Sequence, residues 1–319
     1  MDRAKVKFTF VTPCITSGAD QRKAELRIPS IRGQLRWWMR TLGYEESVHS
    51  ILGGIDSTGN AISSSFIIRD CTENKIKTDV LERDRSDYFL WPIRNKGYIY
   101  EDEEIHIEII YRYRKDASDF PDEVLKIFLL LGSLGTRSRR AYGSIYPTSV
   151  EIDGISWDIP KDIASFKKEI YEILKGLNCK VLLLSQSQQR WQDAVGVCAS
   201  FLKEFRCGST RYGQTPSKWG KYDHDLAFKG DTIYRASIGM PLKTKYYEAK
   251  INDFDRLASP VHFKVIKLGN GFYPISIIFP DHALKEGLNV RVGLKNVKLS
   301  HDLLYAMMDA DNVEVLFDS

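Results

Sequence analysis

The 319-residue sequence has no apolar run approaching the roughly 18–20 residues that a bilayer-spanning helix requires, so a helical membrane protein is not expected. Cysteine is sparse and odd in number: Cys14, Cys71, Cys179, Cys198 and Cys207 include no Cys-x-x-Cys pair. The count argues against a disulfide framework and the spacing against a zinc ribbon. A reduced, cytoplasmic setting is the expectation. The six histidines fall in no His-Glu-x-x-His or nucleophile–base pattern. No catalytic residue, metal site or cofactor is therefore expected. The opening MDRAKVKFTF alternates like a strand and lacks the form of a signal peptide.

Extreme charge is missing as well. The net charge is +4, too small on its own to name a nucleic-acid partner. Its distribution says more. Four arginines and no acid lie between Arg27 and Tyr44, and three arginines and no acid between Gly132 and Val150. In contrast, Tyr100–Glu108 carries five acids and neither Lys nor Arg. Basic charge is thus local, as a binding footprint requires.

IRGQLRWWMRTLGY (31–44) reads as a helix with two faces. Ile31, Leu35, Trp38 and Leu42 make a core-facing stripe. Arg32, Arg36 and Arg40 share another face, where like charges at i,i+4 repel by a few tenths of a kcal/mol per pair. Something outside the helix is expected to supply the negative charge, and phosphate suits the planar guanidinium fork. Trp37 is either a partly buried flank or a ring for stacking on a base.

KVKFTFV, SSFIIRD, EIHIEIIYRYR and GSIYPTSVEI read as strands. Pro147 places the last at an edge or a bulge. FPDEVLKIFLLLG (120–132) is a helix with Pro and acids at its start and Gly at its stop. The order β-α-β-β-α-β up to about residue 155 is ferredoxin-like, giving an α+β domain over 1–155. For 156–319 the pattern supports a second ferredoxin-like domain with insertions. It has helices over 160–177 and 191–205, strands over 232–242, 260–268 and 272–279, and a short helix at 300–309. GNG between the last two strands signals a hairpin.

Two further stretches stand out. GSLGTRSRRAYGS (132–144) combines Gly132, Gly135 and Gly143, which free the backbone for positive φ and close approach, with Arg137, Arg139 and Arg140. It leaves a helix C-terminus, so the helix dipole opposes phosphate and the arginines must supply the attraction. That order differs from a P-loop and argues against a nucleoside triphosphate. Residues 201–228 interleave Arg206, Arg211, Lys218 and Lys221 with Tyr212, Trp219 and Tyr222, a mixture suited to single-stranded nucleic acid. Arg206, Arg211 and Trp219 are the second-domain candidates.

These motifs carry a family resemblance. FTFVTPCITSG with ELRIPSIRGQLRWWMR, then LGSLGTRSRRAYGS, resembles the RAMP superfamily of CRISPR proteins, and within it the family of the first-numbered RAMP subunit of type III-B (Cmr) effectors. FLKEFRCGSTRYG, SKWGKYDHD, RASIGMPL and DRLASPVHFKVIK extend the likeness through the second half. Two positions depart from it: Ser133 and Ala141 stand where the glycine-rich loop usually carries Gly. The resemblance implies two fused ferredoxin-like domains and a non-catalytic RNA-binding subunit, placed near the 3′ end of the guide RNA. Guide RNA, single-stranded target RNA and the other Cmr subunits would be its partners. A metal-independent RAMP endoribonuclease that processes CRISPR RNA, and a protein-binding scaffold without RNA contact, are the alternatives.

Overall fold

The computed structural model describes residues 1–55, 58–82, 87–112, 119–207, 217–225, 230–240, 242–243, 248–251 and 257–319; the side chains of Asp225 and Lys243 lie outside the description. The chain forms two compact units. The first comprises Met1–Leu177, Ser187–Val195 and Lys264–Tyr273, and the second Asn178–Gln186, Gly196–Phe263 and Pro274–Ser319.

The first unit is built on an antiparallel sheet whose main strands run in the order Ile145–Ile152, Arg3–Phe10, Glu104–Tyr111, Phe66–Asp70. Numbered along the chain this is 4-1-3-2, with helices Ile28–Thr41 and Asp122–Leu131 as the two crossovers. That is the ferredoxin-like topology expected from the element order. Alternation does the work: Ala4, Val6, Phe8 and Phe10 are buried and the intervening residues are not. Their partners across the ladder, Ile109, Ile107 and Ile105, are buried on the same face. Pairing along Arg3–Phe10 shifts register between Lys7 and Phe8, opposite Ser149 and Pro147, so Pro147 sits at a bulge.

In helix Ile28–Thr41, Ile31, Leu35 and Trp38 are fully buried, as the stripe predicts. Burying such side chains is worth about 1.5–3 kcal/mol each, which outweighs the repulsion among its arginines. The first unit runs to Leu177 and not to 155, because the next helix, Ile163–Leu174, belongs with it. The Trp157 indole donates to Glu169 (3.0 Å) and the Tyr146 hydroxyl to the Pro160 carbonyl (2.9 Å). Asp162 and Ser165 close a capping box at the helix start.

The second unit repeats the topology. The sheet that does so runs Glu314–Asp318, Lys180–Leu183, Gly271–Ile278, Val261–Leu268, again 4-1-3-2, with helices Trp191–Arg206 and Asp302–Met308 as crossovers; Trp191–Val195 and Lys264–Tyr273 of these elements are counted with the first unit. Gly269 and Asn270 form the two-residue hairpin turn that GNG signals, with Gly269 at φ +57°. A second sheet arises from the insertions, in the order Thr232–Ile233, Lys295–Leu299, Asn289–Val292, Glu248–Lys250, Leu242–Lys243. It has its own core around Ile233, Val290, Val297 and Leu299.

The expected strand over 232–242 is not continuous. Thr232–Ile233 is strand, Arg235–Ile238 is a 3-10 turn, and strand returns at Leu242–Lys243. The buried Asp223 carboxylate accepts from the backbone amides of Tyr234 and Arg235 and from Arg235 Nε, each at 2.9 Å, and so takes those amides out of any ladder.

Candidate nucleic-acid interface

The arginine stripe finds its negative charge in the protein's own backbone. Arg36 Nη2 donates to the carbonyls of Leu52 (3.0 Å) and Gly53 (2.7 Å), at the end of the short helix Val48–Leu52. Helix C-terminal carbonyls carry partial negative charge, which suits a guanidinium. Arg32 Nη2 donates to the Phe66 carbonyl (3.0 Å), and burial followed by the nearby Arg36 charge lowers its pKa. Arg40 forms an exposed ion pair with Glu45 at 3.3 Å, of a kind worth little.

The glycine-rich loop is likewise fastened to its own unit. Gly135 (φ +80°) and Gly143 (φ +67°) take the positive φ expected of them, but Gly132 is extended at φ −80°. A Cβ at Gly132, Gly135 or Gly143 would collide with the carbonyl oxygen of Phe128, Ile15 or Leu134 respectively, so the close approach these glycines permit is to the chain itself. Leu134 N donates to Gly143 O (2.8 Å), Gly143 N to Pro13 O (2.9 Å) and Thr136 N to Ile15 O (2.7 Å). The Thr12 hydroxyl donates to Ala141 O (2.6 Å). Ala141 stands at φ +63°, so the loop takes a left-handed path there without a glycine. Lys264, fully buried beneath the loop, donates to Gly132 O (2.6 Å), and burial pushes its pKa well down.

The two motifs meet. Arg139 lies over the Trp37 ring at 5.9 Å, joining the loop to the helix, and burial lowers its pKa. Trp37 in turn sits edge-on to Trp38, 4.8 Å between centroids. Arg140 Nη1 donates to the Arg139 carbonyl (3.0 Å), and Arg137 adopts φ +70°.

Beside this junction is an open groove of about 460 Å³, where the start of the helix (Arg27, Ser30, Gly33, Gln34) faces the polar loop (Thr16, Ser17, Gln21) and the glycine loop (Gly135, Thr136). Its lining is amides, hydroxyls and one guanidinium, with no carboxylate. Arg32, Arg36 and Arg40 are not among the lining residues; the helix face turned to the groove is Ser30, Gly33 and Gln34, which Trp37 continues one turn on. The helix start carries no side-chain cap and no acid in its first turn, so the positive end of its dipole has no charged partner there, while Pro29 lacks an amide proton and Ser30 N donates to Arg27 O at 2.9 Å.

Gly33 is the residue that motif reading missed. It sits inside a helix, where Gly costs about 1 kcal/mol relative to Ala, and a Cβ there would meet nothing within 4 Å. Unlike the loop glycines, it opens space that the described residues leave empty. An unexplained Gly inside an otherwise helical stretch was the available signal.

In the second unit, Trp219 packs on Tyr234 (4.9 Å) with the Lys218 ammonium 4.3 Å from its ring, and Arg206 ends the helix Trp191–Arg206. Arg211 and Tyr212 lie outside the described residues. Among the described residues, no cluster of His, Cys, Asp or Glu could hold a metal ion, and no helix is long and apolar enough to cross a membrane.

Comparison with known proteins places these features. A family model described as the RAMP superfamily matches residues 7–146, which include both the helix and the glycine loop. The Cmr subunit Cmr1-2 of the CRISPR system of Pyrococcus furiosus is 25% identical over 42% of this chain and 89% of its own length. Among solved structures, apo Cmr1 from Pyrococcus furiosus superposes with a TM-score of 0.61 at 17% identity, covering 100% of this chain and 99% of that one. A chain of the type III-B Cmr-beta complex bound to cognate target RNA gives 0.55 at 11% identity, covering 97% and 98%. At such identities the shared property is the fold, a tandem ferredoxin-like chain.

Proposed function

We infer, for a chain whose residues 7–146 match the RAMP superfamily model and which resembles Cmr1 in fold along its whole length, that it is a non-catalytic RNA-binding subunit of a type III-B CRISPR effector. It works in the cytoplasm beside other Cmr subunits and contacts guide or target RNA near the guide 3′ end. The observation that carries this reading is the carboxylate-free groove between the helix start and the glycine loop. The uncapped helix end and Arg27 attract phosphate, Gly33 lets a nucleic-acid backbone lie close against the helix, and the Trp37–Arg139 stack offers a flat surface beside it for a base. Donors of this kind hold a polyanion in place.

The glycine loop contributes shape through its fixed path and charge through Arg137, Arg139 and Arg140. Arg32 and Arg36 brace the helix that forms one wall, so charge reversal at Arg36 would remove a structural bond along with a charge; Arg27 is the cleaner probe. The test is a salt-titrated binding series with labelled single-stranded RNA carrying repeat tag and spacer, without metal, resolved on native and denaturing gels. Intact RNA whose log affinity falls with log salt by about 0.7 per phosphate contacted is expected. Discrete cleavage products would replace this reading with a processing endoribonuclease, and absence of binding at low salt, alone and in the assembled effector, with a scaffold.

A further inference from the structure

The acidic stretch that begins at Glu101 has no place in an RNA groove, yet it borders a well-formed cavity of the first unit. That cavity, about 490 Å³, is walled by the rings of Tyr98, Tyr100, Tyr142 and Trp191 and by the carboxylates of Asp87 and Glu101. No Lys, Arg or His is among its described lining residues. Each carboxylate is oriented by a ring of the same wall: the Tyr142 hydroxyl donates to Asp87, and Trp191 Nε1 donates to Glu101 at 3.0 Å. Asp87 also accepts from the amides of Phe89 (2.6 Å) and Leu90 (3.0 Å), which fixes its orientation at the head of a turn. Tyr100 donates to a third carboxylate, Asp79, at 3.0 Å. Burial, then the hydrogen bond that Tyr98 donates to Tyr100 and the nearby charges of Asp79 and Glu101, raise the Tyr98 hydroxyl pKa, as a negative local potential requires.

Ring faces plus fixed carboxylates repel phosphate and favour a flat cation. We propose that this cavity is a docking socket for an arginine side chain of a neighbouring protein, its guanidinium stacked among Tyr98, Tyr142 and Trp191 and hydrogen-bonded to Glu101. A guanidinium offers five donors in a planar fork and stacks on aromatic rings, whereas the ammonium of lysine presents a hydrated point charge. A neutral base could stack here too, but it would bring its own phosphate toward two anions. The socket is separate from the RNA groove in charge and in lining, with only Ile15 common to both, so it does not depend on the RNA reading.

The test uses the full chain labelled with fluorotryptophan, the Trp191 signal being assigned from Trp191→Phe. Three probes are titrated by fluorine NMR: acetyl-Gly-Arg-Gly-amide, the same peptide with neutral citrulline, and guanosine monophosphate. The arginine peptide is expected to shift the Trp191 signal saturably, with citrulline at least about tenfold weaker, a gap in keeping with a desolvated cation among rings. Glu101→Gln, which keeps the acceptor for Trp191, should weaken the arginine peptide several-fold while melting temperature and RNA affinity stay unchanged. Equal binding of citrulline, tighter binding of the nucleotide, an unaltered Glu101→Gln titration, or no shift by any probe would each overturn the proposal.

Discussion

Two regions of the first unit use glycine in opposite ways. In the loop 132–144, glycine removes a side chain so that the protein can close on itself, and carbonyls of Phe128, Ile15 and Leu134 occupy the space. In the helix Ile28–Thr41, Gly33 removes a side chain and the described residues put nothing there. The arginines divide the same way. Arg32 and Arg36 hold carbonyls of their own unit, while Arg27 faces the open groove. Residue type and local sequence do not separate the two uses. Position relative to the rest of the chain does, and a residue whose vacancy weakens the fold without benefit to it points outward.

The largest effect should come from filling a loop vacancy. Gly143→Ala, at positive φ and against Leu134 O, should lose about 3 kcal/mol or more, measured by denaturant unfolding. Stability close to that of the parent would mean that the loop path is not what the glycine serves. Next, Lys264→Met leaves the Gly132 carbonyl unmatched and should cost about 1–3 kcal/mol. Its pH dependence sharpens the point. The folded-state pKa of Lys264 lies well below the ordinary 10.5, so between those two values the unfolded chain binds a proton that the folded chain does not. Parent stability therefore rises with pH across that window and is lowest below it. The gap between parent and Lys264→Met should widen as pH climbs toward 10.5, read from paired melting curves.

Arg36→Met should lose about 1–2 kcal/mol by freeing the Leu52 and Gly53 carbonyls, whereas Arg27→Ala should leave the melting temperature unchanged and flatten the salt slope of RNA binding by about 0.7. A melting loss at Arg27 as large as at Arg36 would erase the division. Gly33→Ala tests it from the other side: it should gain about 1 kcal/mol in stability and lower RNA affinity. A gain in stability with RNA affinity intact would remove Gly33 from the interface. The smallest change should be Ala141→Gly, which relieves a left-handed alanine and gains about 1 kcal/mol or less, since the added freedom of the unfolded chain offsets part of the relief.

Much of the frame was legible because its causes are local. Alternation in Arg3–Phe10 and the Ile31, Leu35, Trp38 spacing depend only on period and burial, and the first unit follows the topology that its element order implies, whereas strands Lys180–Leu183 and Glu314–Asp318 of the other ferredoxin-like sheet were not read from the sequence. What escaped was set by partners far along the chain. The arginine stripe reads as an interface because backbone carbonyls, its actual counterparts, have no signature in a sequence. VHFKVIKL reads as a strand without showing that Lys264 reaches under a loop more than a hundred residues earlier. Residues 232–242 have strand character, but Asp223 claims two of their amides first. The groove was invisible for a related reason: three segments contribute to it, each unremarkable until they are brought together.

The Lys264 bond also orders events in time. The Gly132 carbonyl and the Ser144 hydroxyl, which accepts from Val265 N at 3.1 Å, wait on residues that leave the ribosome some 120 positions later. During synthesis the glycine loop therefore emerges without its last two fastenings, and the groove beside it reaches its final form only after residue 265 is made. A nascent or truncated chain ending before residue 264 would carry the motifs of the interface without its rigidity. The groove's final shape is thereby tied to having made most of the chain.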